Sequence, residues 1–418
     1  MIKRKILSKI RDHLNAREIT LLVGPRQIGK TTLLKTLQKE LTGRGERTLF
    51  FNLDVEEDAR HFASQQHFIR KVQLELGKKR GYVFIDEIQR RENSGLFLKG
   101  LFDSDLPYKL IVSGSGSLEL KEKIKESLVG RKRMFELLPV TFEEFIHYKT
   151  GYQYENNLHE FLRVEKPEVD HLLSEYLDFG GYPRIVTEGT LEEKKLLMNE
   201  IFESYVERDV VYLLKVARPE VFRQLIQLLS ANVGQLLNYS NLAAITTANL
   251  KTLKKYLWIA EKTFIIYPVL PFFRNVKKEI SRAPIVYFFD TGMRNFAIHQ
   301  FGTPKTPTET GFLFQNFVIN QIKQRVKEMG WQVKYWRTKD MREIDMILDK
   351  FQEQIPIEIK YVSYKTPKVP KAMYAFIKKY TPTQAWIINL SLRQELTWEK
   401  TKIRFIPYVD LLLPETFG

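Results

Sequence analysis

Hydrophobic and polar positions divide the N-terminal part of the chain into short apolar runs and longer amphipathic stretches. The runs ITLLV at 19–23 and YVFI at 82–85 contain almost no polar residue, which indicates strands buried on both faces of a sheet. Between them, TTLLKTLQKEL at 31–41 repeats its leucines at helical spacing. Strands that alternate with helices predict an α/β domain with a parallel sheet.

The pattern changes in the middle of the chain. Residues 150–220 read as charged helices, and residues 239–262 read as a helix, a short polar turn and a second, basic helix. Ser240 is expected to cap the first of these two helices. A β-rich stretch with a turn at 274–278 follows. Helix, turn, basic helix and hairpin is the order of a winged helix.

The C-terminal stretch has a third pattern. Residues 299–311 are rich in Pro, Thr and Gly and predict a linker. A helix, three strands, a basic helix and a further strand are expected after it, ending with AWIINL at 385–390. Four parts are therefore predicted, with these boundaries: a P-loop core at 1–145, a helical lid at 146–220, a winged helix at 221–298 and an α/β domain at 310–418.

The segment GPRQIGKT at 24–31 fits the phosphate-loop pattern G-x-x-x-x-G-K-[ST]. Glycines let the backbone N–H groups of such a loop face a phosphate at the positive end of the next helix. Lys30 would reach the β- and γ-phosphate oxygens, and Thr31 would offer its hydroxyl to Mg²⁺. The expected cofactors are ATP and Mg²⁺. The predicted loop contacts are Gly24, Pro25, Arg26, Gln27, Gly29, Lys30, Thr31 and Thr32.

Two acidic residues, Asp86 and Glu87, close the second apolar strand. The carboxyl ends of parallel strands are where a doubly wound sheet places its ligand. Asp86 is predicted to position Mg²⁺ through water, and Glu87 to orient and deprotonate the attacking water. A strand that merely ends in acidic residues is the alternative, which the phosphate loop upstream disfavours. A third strand ends in Ser113-Gly114-Ser115.

Four motifs together, GPRQxGKTT, FxDEIQ, SGS and SLVGR…LLPVTFEEF, resemble the AAA domain 14 group of bacterial and archaeal AAA+ ATPases, which carries a C-terminal DUF4143 region. The resemblance implies that Ser113 senses the γ-phosphate. It also implies that Arg131 is an arginine finger for a neighbouring subunit, hence a homo-oligomer, most often a hexameric ring. The turn at Gly180-Gly181-Tyr182-Pro183 resembles the lid turn of that family. Arg184 after it is a second sensor or, as we favour, a structural residue.

The C-terminal strands carry Asp345, Glu358 and Lys360 in the spacing D-x₁₂-E-x-K. Alternation along a strand puts Glu358 and Lys360 on one face. Two carboxylates can bind Mg²⁺ while a lysine helps to activate water against a phosphodiester. This segment resembles the PD-(D/E)XK nuclease core, so a restriction-endonuclease-like α/β fold is expected. Gln315 stands where active members commonly have a glutamate, so a domain that binds DNA without cutting it remains an alternative.

Composition and charge narrow the class of protein. The chain has 418 residues and no cysteine, which excludes disulfides and thiolate zinc sites and fits a reducing, cytoplasmic location. No apolar run approaches the roughly 18 residues of a membrane span, so no membrane partner is expected. Residues 201–418 contain 32 Lys+Arg and 19 Asp+Glu, a surplus of 13 of the net +16, which leaves +3 for residues 1–200. A polyanion-binding C-terminal half or scattered solvated lysines would both explain this.

Three functions remain open. The favoured one is an oligomeric AAA+ ATPase that couples ATP hydrolysis to binding and remodelling duplex or branched DNA, as a helicase, translocase or branch-migration motor. The second is an ATP-regulated, Mg²⁺-dependent endonuclease, and the third is a nucleotide-dependent switch that binds a protein partner. The complete set of hydrolytic residues, the basic C-terminal half and Gln315 favour the motor. The predicted DNA contacts are Lys251, Lys254, Lys255, Lys277 and Lys278.

Overall fold

The computed structural model describes residues 1–115, 128–213, 216–273, 279 and 282–417; at 208, 209, 212, 213 and 414 it describes the backbone alone. Within this part of the chain the backbone forms two sheets joined by helices.

The N-terminal sheet has five parallel strands in the order β2-β3-β4-β1-β5. Its strands are β1 (Ile19–Gly24), β2 (Thr48–Asn52), β3 (Gly81–Asp86), β4 (Tyr108–Ser115) and β5 (Lys132–Glu136). The helices around it are α1 (Ile6–Asp12), α2 (Lys30–Gly43), α3 (Glu56–Arg60), α4 (Gln65–Leu76) and α5 (Ser94–Asp103). Every residue of β1, β3 and β4 is buried, because helices cover both faces of the sheet. The predicted parallel α/β domain is confirmed.

A helical region follows the first sheet. It contains α6 (Phe142–Lys149), α7 (Leu158–Val164), α8 (Lys166–Phe179), α9 (Pro183–Thr187), α10 (Leu191–Ser204) and a π-helix (Tyr205–Leu213). The π-helix continues α10 directly. π-Helical turns are rare and are frequently found at functional sites.

Three helices and a hairpin come next, one helix more than the two that the sequence predicted. They are α11 (Pro219–Ala231), α12 (Tyr239–Thr246), α13 (Leu250–Lys262), β6 (Ile266–Pro271) and β7 (Ile285–Phe288), followed by α14 (Thr291–Ala297). The cap of α12 is Asn238, whose side chain accepts a hydrogen bond from Asn241 N at 3.0 Å. The assignment of Ser240 as the cap is wrong because α12 begins at Tyr239, two residues before the start that a Ser240 cap implies. The predicted turn at 274–278, with Lys277 and Lys278, lies outside the described residues.

The C-terminal region contains α15 (Pro307–Val326), α16 (Lys371–Tyr380) and the strands β8 (Gln332–Arg337), β9 (Glu343–Asp349), β10 (Gln354–Ile359), β11 (Gln384–Asn389), β12 (Gln394–Trp398) and β13 (Thr401–Pro407). The predicted linker is wrong at its C-terminal end, because residues 307–311 form the start of α15. Thr306 caps this helix in a capping box with Glu309, whose carboxylate accepts from Thr306 N at 2.8 Å.

One eight-stranded sheet joins the hairpin to the C-terminal strands, in the order β12-β13-β11-β10-β9-β8-β6-β7. The joint is a short parallel pairing of β6 with β8, in which Leu270 and Pro271 face Lys334 and Tyr335. Helix α15 reinforces the joint, since the Asn316 side chain accepts from Phe288 N and donates to Phe288 O, both at 2.8 Å. The two regions that the sequence analysis separated therefore share a sheet.

Candidate functional site

The phosphate loop connects β1 to α2. Gly29 adopts a left-handed conformation with φ of 95°, and α2 begins at the next residue. The buried Lys30 ammonium lies over the loop, donating to Gly24 O at 3.1 Å and Pro25 O at 2.7 Å. Gly24 has a packing role as well, because a Cβ atom there would lie 2.2 Å from Leu137 O. The loop and the helix start thus follow the sequence motif.

Asp86 connects strands β3 and β4 to the start of α2. Its Oδ2 accepts a hydrogen bond from Thr31 Oγ1 at 2.6 Å, and its Oδ1 accepts one from Ser113 Oγ. β3 lies beside β4, which lies beside β1, so the ends of these strands bring the three side chains together. Asp86 and Ser113 are fully buried. The structure therefore places Thr31, Asp86 and Ser113 in one network.

Glu87 follows β3 in a left-handed conformation, with φ of 57°, and lines the cavity beside the loop. Gln89 holds its carboxylate, since Gln89 Nε2 donates to Glu87 Oε2. The other end of the Gln89 amide accepts from Ser115 N, at the end of β4, at 3.1 Å. The sequence analysis missed Gln89, although it belongs to the DEIQ segment. Its partner Ser115 is 26 residues away and follows only from the packing of β3 on β4.

A cavity of about 730 Å³ lies over the loop, a size typical of small-molecule sites. Its first wall contains Arg26, Gln27, Gly29, Lys30, Thr31, Thr32 and Glu87. Its second wall is helical and contains Pro183, Arg184, Glu200, Glu203, Ser204 and Glu207. Arg184 Nη1 bridges the walls, donating to Gln27 Oε1 and Glu200 Oε2, each at 2.9 Å. Arg184 thus lines the cavity and links its two walls, an arrangement compatible with both the sensor role and the structural role.

The turn before Arg184 is fixed by tight backbone packing. Gly181 N donates to Asp290 Oδ2 at 2.7 Å, and Gly181 O accepts from Val140 N at 2.7 Å. A Cβ at Gly181 would lie 2.4 Å from Val140 O, so only glycine fits. Asp290 also caps α14 through Met293 N at 2.8 Å. Gly181 therefore anchors this turn to Asp290, which follows the hairpin.

The acidic second wall of the cavity was not anticipated. Glu203 forms a bidentate ion pair with Arg223 of α11, at 2.6 and 2.7 Å, and this hydrogen bonding lowers the pKa of Glu203. Tyr205, two residues later, hydrogen-bonds through its hydroxyl to Thr263 Oγ1 at 2.6 Å. Helix α10 and its π-helical continuation thus contact both the cavity and the helices of the middle region.

Arg131 lies at the opposite edge of the sheet. Its carbonyl accepts from Ile19 N at 2.9 Å, at the start of β1, whereas the phosphate loop follows the end of that strand. Five strand steps of about 3.3 Å separate the two ends by about 16 Å. Arg131 Nε donates to Asp103 Oδ1 at 2.7 Å, which lowers the pKa of Asp103. The structure therefore does not bring Arg131 to the cavity of its own chain.

A second cluster assembles in the C-terminal region. Lys360 Nζ lies 2.7 Å from Glu358 Oε1 and 3.7 Å from Asp345 Oδ2. Asp345 also accepts from Gln315 Nε2 and from Ile359 N, each at 2.8 Å. Adjacent antiparallel strands β9 and β10 supply the acids, and α15 supplies the amide. The four predicted residues therefore lie together.

Burial dominates the electrostatics of this second cluster. It raises the pKa of Glu358 to about 8, assisted by the charge of Asp345 and opposed by Lys360. Burial also raises the pKa of Asp345, while the two carboxylates raise that of Lys360. Glu358 Oε2 is buried and has no hydrogen-bond partner among the described residues. Two carboxylates with one unsatisfied oxygen fit a hard cation such as Mg²⁺. No group of three or more acidic, His or Cys residues suited to a metal occurs in the described part of the chain.

A glycine-rich loop between a buried parallel strand and a helix, with an acidic pair on a neighbouring strand, defines the class of P-loop nucleotide-binding domains. Comparison with known families agrees. Residues 16–146 match the family model of an AAA domain, and residues 310–410 match a domain of unknown function, DUF4143. Both parts of the predicted resemblance are confirmed, and they support an AAA-type ATPase domain. Residues 170–304 match a separate model, DUF8612, so the DUF4143 match does not include the middle region.

Comparisons with individual proteins give less information about function than the family models do. An uncharacterized protein of Haemophilus influenzae is 27% identical over 360 residues, 82% of each chain. The hemin import ATP-binding protein of Plesiomonas shigelloides is 46% identical over 48 residues, 12% of this chain and 18% of that protein. The structure of AMPPCP-bound DnaA from Aquifex aeolicus covers 66% of this chain and 88% of its own at 15% identity and a TM-score of 0.31, too low to carry an argument. Among the described helices, none has the length and apolarity to cross a membrane.

Proposed function

We propose that this chain is an oligomeric AAA+ ATPase that couples ATP hydrolysis to the binding and remodelling of DNA. The observation that carries the hydrolytic part is the network of Thr31, Asp86 and Ser113 beside Glu87, at one side of the cavity over the phosphate loop. A domain that only bound nucleotide would need no carboxylate in the position of Glu87.

The residues of the cavity divide the chemistry among them. Lys30 and the loop N–H groups bind the β- and γ-phosphates, where Mg²⁺, held by Thr31 and Asp86, supplies charge neutralisation. Gln89 occupies one oxygen of Glu87, which leaves Oε1 to accept a proton from the attacking water. Arg184 lies on the helical wall of the cavity and would contact the γ-phosphate directly. Ser113 is fully buried and donates to Asp86, so it would sense the phosphate through that carboxylate. Hydrolysis then breaks the bond between the γ-phosphorus and its bridging oxygen.

The position of Arg131 supports assembly. Because it lies at the sheet edge opposite the loop, its guanidinium serves the nucleotide of a neighbouring subunit after leaving Asp103. A head-to-tail contact of this kind closes into a ring when the rotation between subunits allows it. A hexamer is the ring size that we propose.

DNA as the partner is supported by charge and by the order of elements. Helices α11 to α13 and the hairpin β6–β7 follow the winged-helix order, and α13 exposes Lys251, Lys254 and Lys255. The surplus of 13 positive charges in residues 201–418, 32 basic minus 19 acidic, suits a polyanion.

The test is the ATPase rate of the full chain with and without linear, single-stranded and branched DNA. DNA is expected to raise the rate, and Glu87→Gln is expected to abolish hydrolysis and any strand separation while ATP still binds. A matched control is Glu92→Gln, an exposed carboxylate close by in sequence. Strand separation that survives in Glu87→Gln would refute the motor.

The cluster of Asp345, Glu358, Lys360 and Gln315 favours a second candidate, Mg²⁺-dependent cleavage of DNA. The order α15, β8, β9, β10, α16, β11 supports a restriction-endonuclease-like domain, and the cluster lies on its central strands. Cleavage is expected to disappear in Asp345→Ala and to persist in Asp340→Ala, an exposed control. Wild-type protein that cleaves none of the linear, nicked and branched substrates would exclude the nuclease.

A further inference from the structure

One face of α13 exposes large apolar side chains beside its lysines. Leu253, Tyr256, Ile259 and Ala260 are buried on the inner side of the helix. The outer side carries Leu250, Lys251, Lys254, Lys255 and Trp258. We call these five residues the α13 face.

Both apolar members of the α13 face are exposed. Leu250 and Trp258 retain 47% and 37% of their accessible surface. The structure describes all five tryptophans of the chain. Trp258 is exposed, whereas the other four are buried or half-buried. Leu250 and Trp258 are eight residues apart, about 12 Å along the helix, and the lysines project between them. The α13 face therefore combines exposed apolar side chains with cationic ones.

The three lysines of this face keep their charge free for a ligand. None of them forms an ion pair with a described residue, and Lys254 has a loose contact, 5.9 Å, with the ring of Tyr239. Elsewhere in the chain many lysines are neutralised by a neighbouring carboxylate, as Lys71 is by Glu75 and Lys402 by Glu395. The unpaired charges complement phosphates.

The chemistry of the face indicates which form of nucleic acid it fits. Duplex recognition in the major groove uses Arg or Lys on guanine, Asn or Gln on adenine and acidic side chains on cytosine. Of these, the outer side of α13 offers lysine, whose charge suits phosphates equally well, and no Arg, Asn, Gln or acidic side chain stands between Leu250 and Trp258. Unpaired strands are instead bound by aromatic side chains that stack on bases and by cations that follow the backbone.

We propose that the α13 face binds an unpaired nucleic acid strand, with bases stacked on Trp258 and phosphates paired with Lys251, Lys254 and Lys255. The inference rests on the proposed DNA function and deepens it, since it assigns this face to the strand that remodelling releases from a duplex.

The experiment measures binding of the full chain to fluorescent 20-mers by anisotropy, with single-stranded DNA, single-stranded RNA and duplex DNA as separate ligands. The single strands are expected to bind more tightly than the duplex. Trp258→Ala is expected to weaken single-strand binding about 5- to 100-fold. Trp258→Phe, which keeps an aromatic face, is expected to recover most of the affinity. The DNA and RNA arms identify which single strand the face prefers.

The lysines are tested by salt dependence. Replacing Lys251, Lys254 and Lys255 by Ala together is expected to lower the slope of log affinity against log salt by about 2, at about 0.7 per lost phosphate contact. Lys378→Ala with Lys379→Ala is the matched control, because both lysines are exposed on α16. A salt slope that the triple variant leaves unchanged would contradict the proposal.

The outcomes separate this inference from the proposed function. If Trp258→Ala binds single strands as wild type does, or duplex binds more tightly than either single strand, the inference is wrong. DNA-stimulated ATPase activity that persists in that case keeps the proposed function, and the α13 face then serves a protein partner. If no nucleic acid binds or stimulates the wild-type chain, both proposals fall.

Discussion

At the scale of single residues, Gln89 controls the orientation of Glu87. It donates to one carboxylate oxygen of Glu87 and is itself held by Ser115 N at 3.1 Å. Loss of one such hydrogen bond, about 0.5–1.5 kcal/mol, is expected to lower kcat for ATP about 2- to 10-fold in Gln89→Ala. KM should change little, because Gln89 lies outside the residues that line the cavity.

A stability measurement separates orientation from a general loss of structure in Gln89→Ala. Urea unfolding should show a loss of no more than about 0.5–1.5 kcal/mol, the value of one hydrogen bond. Activity is measured as phosphate release at saturating ATP. A variant with unchanged kcat would show that Glu87 is oriented without Gln89.

Asp290 gives a prediction about stability and pH. Burial raises its pKa from 3.8 to about 6, although the N–H groups of Gly181, Met293 and Gly292 oppose the change. The folded state therefore binds the proton more tightly than the unfolded state, and the contribution of Asp290 to stability falls as pH rises from about 4 to about 6. At about 1.4 kcal/mol per pKa unit the change reaches about 3 kcal/mol.

The measurement for Asp290 is urea unfolding of the wild type and Asp290→Asn between pH 4 and 7.5. Asparagine keeps the shape but does not titrate in this range, and its amide leaves one backbone N–H without an acceptor. The wild type minus variant difference in unfolding free energy should fall across pH 4 to 6 and level off above it. A difference that is independent of pH would contradict the assignment.

At the scale of elements, sequence pattern predicts what depends on local composition. The apolar runs of β1, β3 and β4 are visible because both faces of each strand are buried. The spacing of Asp345, Glu358 and Lys360 was sufficient because β9 and β10 are adjacent in the chain as well as in the sheet. Both features depend on residues that are close together in the sequence.

Other features depend on contacts between distant segments and leave no local pattern. The joint between β6 and β8 has two residue pairs, Leu270 with Lys334 and Pro271 with Tyr335, more than 60 positions apart. The acidic wall of the cavity belongs to α10, where Glu200 and Glu203 look like an ordinary solvated helix face. Arg184 faces the cavity because Gly181 is held by Asp290, 109 residues later.

The contact between α8 and α14 yields a prediction at this scale. A Cβ atom at Gly292 would lie 2.1 Å from Phe179 O, a backbone atom that cannot move aside alone. Gly292→Ala is therefore expected to destabilise the chain by about 1–3 kcal/mol. Gly311→Ala is the control, because that helical glycine of α15 has nothing within 4 Å of its added methyl group. It should gain about 0.5–1 kcal/mol. Chemical denaturation measures both, and equal stability of the two variants would contradict the packing argument.

At the scale of the whole molecule, one hydrophobic core connects the parts. It extends from Leu34 of α2 through Tyr176 of α8 and Phe222 of α11 to Phe317 of α15. Buried cores have discrete packings and transmit a displacement instead of absorbing it. The cavity, the helices of the middle region and the C-terminal cluster are thus mechanically connected within one chain.

The position of Arg131 predicts how activity depends on assembly. If its guanidinium completes the site of a neighbour, Arg131→Ala and Lys30→Ala should each abolish hydrolysis alone, for different reasons. In an equal mixture, an Arg131→Ala subunit keeps an intact cavity, and an adjacent Lys30→Ala subunit supplies the guanidinium. Random assembly into a head-to-tail ring places these two in the productive order at about one quarter of the sites, so about a quarter of the wild-type rate should return.

The control mixture combines Lys30→Ala with the double variant Lys30→Ala/Arg131→Ala, which contains no intact cavity and should stay inactive. Because Arg131 lies about 16 Å from its own loop, a mixture that recovers no activity would mean that Arg131 acts on Asp103 within its own chain and not on a neighbouring nucleotide.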